Sequence, residues 1–207
     1  YITTGDAHAS DTYSIGILKS NDGGQTWDTT GMQFGITDDK MVNKVIIHPT
    51  YTDSLFAVTD KNIKISADGG QTWSNALTSS GSTMIGRFRD IEFKPNNPNI
   101  LYAVKQTTGS SEVYKSTDRG LSWSSAMNGI SLVNRNRPLL AVTPANPDVV
   151  YVLFCKNDYG FHGIYKSTDN ADSWTLQSDS PNILGRSTDG TSTGGRSLYD
   201  LSLGVST

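Results

Sequence analysis

Short apolar runs return along the chain in pairs, and a proline closes the first member of each pair. The pairs are Val45-Ile46-Ile47-His48-Pro49 with Leu55-Phe56-Ala57-Val58, Ile91-Glu92-Phe93-Lys94-Pro95 with Ile100-Leu101-Tyr102-Ala103-Val104, and Leu140-Ala141-Val142-Thr143-Pro144 with Val149-Val150-Tyr151-Val152. Apolar, β-branched and aromatic runs of this length, bounded by turn residues, predict strands. A third strand is expected in segments such as Val113-Tyr114-Lys115-Ser116 and Ile164-Tyr165-Lys166-Ser167, and a fourth after the turn that follows them. Each unit then holds four short strands, A to D.

The turn between C and D is itself a repeat. Ser20-Asn21-Asp22-Gly23-Gly24-Gln25-Thr26-Trp27 lines up with Ser66-Ala67-Asp68-Gly69-Gly70-Gln71-Thr72-Trp73, Ser116-Thr117-Asp118-Arg119-Gly120-Leu121-Ser122-Trp123 and Ser167-Thr168-Asp169-Asn170-Ala171-Asp172-Ser173-Trp174. The aspartates are 46, 50 and 51 residues apart, and all four tryptophans occupy the same place in the motif. Four strands per unit at this period are the signature of a β-propeller blade. The expected fold is all-β, with four-stranded antiparallel blades. Tyr1-Ile2-Thr3-Thr4 aligns with a B strand and Leu198 to Val205 with an A strand. About four blades over residues 1–207 are expected, more in keeping with part of a larger propeller than with a closed four-bladed ring.

Composition agrees. Of 20 acidic residues 18 are Asp and two are Glu, alongside 25 Ser, 23 Thr, 14 Asn and 20 Gly. These residues favour turns and caps over helix interiors. A net charge of −3 gives no footprint for nucleic acid or acidic lipid. No apolar run approaches the roughly 20 residues that span a bilayer. The single cysteine, Cys155, lies in the apolar run 149–155 and reads as a buried, inert thiol.

The repeated turn resembles the Asp-box, or bacterial neuraminidase repeat, with pattern Ser-x-Asp-x-Gly-x-Thr-Trp. The third copy has Ser122 for Thr, and the fourth has Ala171 where the pattern has Gly, which predicts a strained or reshaped turn. The resemblance implies that Asp22, Asp68, Asp118 and Asp169, with Trp27, Trp73, Trp123 and Trp174, are structural. A short carboxylate accepts backbone N–H groups across a tight turn, and the indole covers the hairpin. The loops lack the ligand series and closing Glu of a calcium hand. His8, His48 and His162 are scattered, so neither a metal site nor a cofactor is expected.

Function is expected on the face formed by the B–C and D–A connections, opposite the boxes. The first and last B–C loops, residues 5–14 and 156–163, combine carboxylates, histidine and aromatics, and suggest Asp6, Asp11, Tyr13, Asp158, Tyr159 and His162 as ligand-binding candidates. The D–A connections carry Arg87, Arg89, Arg135, Arg137, Arg186 and Arg196, suited to bidentate contact with a carboxylate or sulfate.

Among Asp-box proteins, sialidases use an Arg-Ile-Pro motif that is absent here. Xyloglucan-active endoglucanases use two loop aspartates, and Asp6, Asp60 and Asp158 hold comparable positions, so polysaccharide hydrolysis is the alternative. Thr3-Thr4-Gly5-Asp6, the run from Asp11 to Ser20, and Ser197-Leu198-Tyr199-Asp200-Leu201 look like sortilin-type propellers of large secreted bacterial surface proteins. That resemblance implies a non-catalytic module, secreted or at the cell surface, adhesive or scaffolding, whose partners are a protein or a glycan and the remaining blades or domains of its own polypeptide.

Overall fold

The computed structural model describes residues 1–5, 14–35, 38, 40–76, 87–199 and 201–206. Among these residues, fifteen strands form four antiparallel sheets. The first holds β1 (Ile2–Thr3), β2 (Gly16–Lys19) and β3 (Asp28–Gln33). The second holds β4 (Val42–Ile47), β5 (Leu55–Thr59), β6 (Ile63–Ser66) and β7 (Ser74–Asn75). The third holds β8 (Arg87–Phe93), β9 (Leu101–Gln106), β10 (Glu112–Ser116) and β11 (Ser124–Ser125). The fourth holds β12 (Pro138–Val142), β13 (Val150–Cys155), β14 (Phe161–Ser167) and β15 (Thr175–Ser178). Within each sheet the strands pair in chain order, the meander of a propeller blade. Four such blades in succession fit part of a larger propeller.

Burial falls from the inner strands to the rim. All of β5 is buried, as are Leu101 to Val104 of β9, because blades cover both faces of a B strand. The outer β7 and β11 are exposed. Hydrophobic cores therefore lie between blades. Ile17 and Met32 meet Val42 and Ala57 across the first junction. Phe56 and Val58 meet Phe88, Ile91 and Leu101 across the second, and Tyr102 and Val104 meet Leu140, Val150 and Phe154 across the third.

The boxes lock these junctions at the rim. In each, the Ser hydroxyl donates to the Asp Oδ1 at 2.7–2.8 Å and accepts the N–H of the fifth box residue at 2.7–2.9 Å. The same carboxylate accepts the N–H and the hydroxyl of the seventh residue. Positions four and five are left-handed in all four copies. Box four keeps that shape with Asn170 at φ 62° and Ala171 at φ 66°, so its turn is strained but not reshaped. An L-residue there costs roughly 1–2 kcal/mol, and the buried Ala171 methyl packs in the core of the third junction.

Trp73, Trp123 and Trp174 each pack at the junction with the preceding blade. Trp27 has no preceding blade among the described residues and is 40% exposed. The indoles are less uniform than the motif implies. Trp73 and Trp123 donate within their own turns, to Gly70 and Gly120, whereas Trp174 donates across the junction to Ala126.

Hydroxyl and amide donors around the box carboxylates hold Asp68 and Asp169 near pKa 2, with Asp22 and Asp118 also depressed (Asp118 against an opposing push from burial). A depressed folded pKa contributes stability above the unfolded value near 4, and that stability is lost as pH falls through the folded value. Melting temperature should therefore hold steady down to about pH 4 and fall between there and about pH 2. Replacing all four aspartates by Asn should flatten that drop, as thermal melts across this range will show.

The expected A strand at Leu198 to Val205 is corrected. Among the described residues of this segment there is no strand. Leu201 and Leu203 pack on Leu153, Cys155 and Phe161, and Thr143 Oγ1 donates to the Ser206 carbonyl. The segment is held by side-chain burial rather than by a ladder. Cys155 is buried as expected, and burial raises its thiol to a pKa of about 11.

Candidate functional site

The loop face is built at the outer end of the fourth blade. Residues 179–199 connect β15 to the C-terminal segment without forming a strand. The chain is held there by side chains that replace a ladder. Asn182 accepts the Phe161 N–H at 2.8 Å and donates to the carbonyls of Ser192 and Gly194. The Asp158 carboxylate accepts the N–H groups of Gly160 at 3.0 Å and Gly194 at 3.1 Å. Backbone bonds from Gly195 to Asp158, from Arg196 to Leu184 and from Ser197 to Tyr159 complete the junction. Gly195 is obligatory at this crossing, since a Cβ there would lie 2.2 Å from the Tyr159 carbonyl oxygen and 2.5 Å from that of Leu184.

This junction floors an open cavity of about 530 Å³ lined by Tyr159, Arg186, Gly195, Arg196, Leu198 and Tyr199. Tyr159 is 37% and Tyr199 55% exposed, and both arginines are exposed. Arg137, buried beneath, donates to the carbonyls of Ser197 and Leu198 and so fixes the backbone leading into Tyr199. A second cavity of about 180 Å³ lies between the first two blades, with Phe34, Met41 and Asp60 among its walls and Lys40, Lys61 and Lys64 around it. Burial, with Lys40 close by, holds Lys64 below the usual lysine range.

Of the expected ligand-binding residues, Asp6, Asp11 and Tyr13 lie outside the described residues. Asp158 is a loop clamp with both carboxylate oxygens engaged. His162 Nε2 meets the Val133 carbonyl at 3.0 Å, its ring stacks on Tyr165, and burial lowers its pKa. Tyr159 lines the larger of the two cavities.

The arginine expectation divides in the same way. Arg89, Arg135 and Arg137 are buried. Arg89 Nε donates to Gln106, and Arg135 donates to the carbonyls of Ser111 and Ser131. Arg135 and Arg137 hold loop backbone, because a guanidinium carries enough donors to close several backbone gaps at once, while Arg89 ties β8 to β9. Tyr199 and Leu198, read from the sequence as strand, belong instead to the cavity wall. The available signal was Tyr199 lying three residues after Arg196, a residue already read as a loop cation.

Among the described residues no group of three or more His, Cys, Asp or Glu side chains is placed to hold a metal ion. No described helix is long and apolar enough to cross a membrane.

Blade, box and loop face together define a sortilin-like Asp-box propeller. The Sortilin-Vps10 family model (sortilin, neurotensin receptor 3) matches residues 16–133 and 61–182. The chain belongs to that family. No curated protein matches it in sequence.

Among solved structures, it is similar to an ancestral GH74 enzyme at 22% identity and TM-score 0.64, over 84% of this chain and 23% of that one. It is also similar to the GH74 enzyme of Niastella koreensis, at 19% identity and TM-score 0.62 over 78% and 26%. YCF48 bound to D1 peptide matches at 17% identity and TM-score 0.50 over 83% and 51%. The chain spans about a quarter of the length of the two GH74 structures.

Proposed function

We propose that this chain is a non-catalytic binding and scaffolding module of a secreted or cell-surface protein, engaging a protein or glycan through its loop face. The observation that carries this reading is the cavity of Tyr159, Arg186, Arg196 and Tyr199, whose described walls offer rings and guanidinium groups but no carboxylate. Glycoside hydrolysis needs a carboxyl pair roughly 5–10 Å apart, one to protonate and one to attack or activate water. Asp158 is spent on two backbone N–H groups, and Glu112 is held by Lys105 and Tyr114. A propeller of this shape carries either role in its relatives, since two are GH74 enzymes and another is solved with a peptide bound.

The test is a binding screen on glycans and candidate proteins run beside a polysaccharide-hydrolysis assay. Binding without turnover, weakened by Tyr159→Ala, is the expected outcome. Release of reducing ends that disappears in Asp6→Ala or Asp158→Ala, in variants that still melt cooperatively, would replace this reading with a glycoside hydrolase.

A further inference from the structure

We infer that the ligand of the Tyr159–Tyr199 cavity is an acidic saccharide, a pyranose chain carrying carboxylate or sulfate groups, bound by ring stacking on the tyrosines and by charged contacts from Arg186 and Arg196. The inference rests on the binding-module reading and names its ligand class.

Three features of the site select this chemistry. The first is charge. Two exposed guanidinium groups line one cavity of about 530 Å³, and among the described residues none of its other walls, Tyr159, Gly195, Leu198 and Tyr199, bears a negative group. Of the acidic residues on the loops that build the cavity, Asp158 spends its two oxygens on the N–H groups of Gly160 and Gly194, and Asp189 accepts the N–H and the hydroxyl of Thr191. An anion entering here therefore meets arginines that no carboxylate among the described cavity walls neutralises. Arginine presents planar, paired donors that match a carboxylate or a sulfate ester.

The second feature is shape and surface. The volume lies within the range of small-ligand sites, roughly 300–1,000 Å³. It is open, and it carries two partly exposed tyrosines, each an apolar face with a polar edge. A pyranose ring presents C–H groups on its faces and hydroxyls around its rim, so it suits that combination. The cavity has no deep apolar slot for an aliphatic or aromatic side chain. Leu198 is its one aliphatic wall, which favours the sugar over a peptide anchor.

The third feature is rigidity. Tyr159 sits at φ 66°, a left-handed conformation that its surroundings must hold. Its carbonyl accepts the Ser197 N–H and crosses close to Gly195, where a Cβ would lie 2.2 Å from it. Tyr199 N–H donates to Arg196 O, and Arg137 clamps the two carbonyls before Tyr199. Walls fixed in this way lose little freedom on binding.

The experiment is titration calorimetry of the intact protein with three oligosaccharides: an oligogalacturonate for carboxylate, a chondroitin sulfate oligomer for sulfate, and a xyloglucan oligomer as the neutral probe. At least one acidic oligomer should bind, and more weakly as ionic strength rises. Arg186→Gln and Arg196→Gln should each weaken it roughly ten- to hundredfold, the loss of one charged hydrogen-bonded contact. Tyr199→Ala should weaken it comparably, while Leu121→Ser on the opposite edge leaves it unchanged. Melting of each variant at the wild-type temperature confirms that the fold is intact.

The carboxylate and sulfate arms separate the two sources of negative charge. Preference for the neutral oligomer, or binding of acidic sugars indifferent to both arginine variants, overturns the inference and leaves the binding-module reading standing. Arginine-dependent binding of an acidic peptide, with no response to any of the sugars, overturns it in favour of a protein partner. Turnover of any oligomer overturns the module reading itself.

Discussion

Replacing Gly31 by alanine should lower stability by about 3 kcal/mol, and Gly129→Ala should come close to it. Gly31 lies in β3, where the rim of the first blade meets the second box. Its N–H donates to the Gly70 carbonyl at 2.7 Å, and a Cβ on Gly31 would stand 1.8 Å from the Gln71 carbonyl oxygen. That atom is backbone of a turn already pinned by Asp68, so it cannot move aside as a side chain would. The added methyl must push the two blades apart, breaking the Gly31–Gly70 bond and opening the core that joins Met32 to Ala57.

The third junction repeats the device. A Cβ on Gly129 would lie 2.1 Å from the Trp174 carbonyl oxygen, and Trp174 N–H donates to Asn128. Gly204→Ala is the control, since nothing lies within 4 Å of its added carbon. It should change stability by less than about 0.5 kcal/mol. Urea titrations of the three variants measure these differences. A Gly31→Ala loss below about 1 kcal/mol would show that the rim contacts do not hold the blades together.

The sequence made the blades legible because their signals are local. The pair of apolar runs, the proline and the Ser-x-Asp turn all lie within one period, and four copies reinforce one another. What lies between blades was not legible, because its partners are about one period apart. Arg137 looks like a loop-face cation in the sequence, and only packing reveals that it is buried against the carbonyls of Ser197 and Leu198. Asp158 and Tyr159 are neighbours with opposite fates. The carboxylate of Asp158 meets two amide donors, one of them 36 residues onward, while Tyr159 is turned outward by its left-handed backbone. The cavity itself depends on where the long segment after β15 folds back, and that path is set by scattered Asn, Ser and Gly contacts with no period at all.

Asp90 is the inter-blade group that the sequence conceals most fully, and Asp90→Ala should cost about 3 kcal/mol or more. Asp90 lies on β8, an inner strand, and its buried carboxylate joins three blades. Oδ1 accepts Lys44 Nζ of the second blade at 2.7 Å and the Ile91 N–H of its own at 2.9 Å, while Oδ2 accepts the Leu140 N–H of the fourth at 3.1 Å. Burial works against the charge on Lys44, yet Asp90 and Glu92 together hold its pKa above the ordinary lysine value. Burial also dominates at Glu92, raising its pKa despite Lys44.

Truncating Asp90 strands two buried amide donors and leaves Lys44 with Glu92 as its remaining carboxylate. Asp90→Asn removes the charge and keeps one of the two acceptors, its amide oxygen, while its NH2 faces the other backbone donor. The Asn variant should lose less than the Ala variant if the backbone donors dominate, and as much if the ion pair with Lys44 does. Chemical denaturation of both, followed by tryptophan fluorescence, gives the two values. An Ala variant within about 1 kcal/mol of the parent would mean that water replaces the carboxylate at the blade junction.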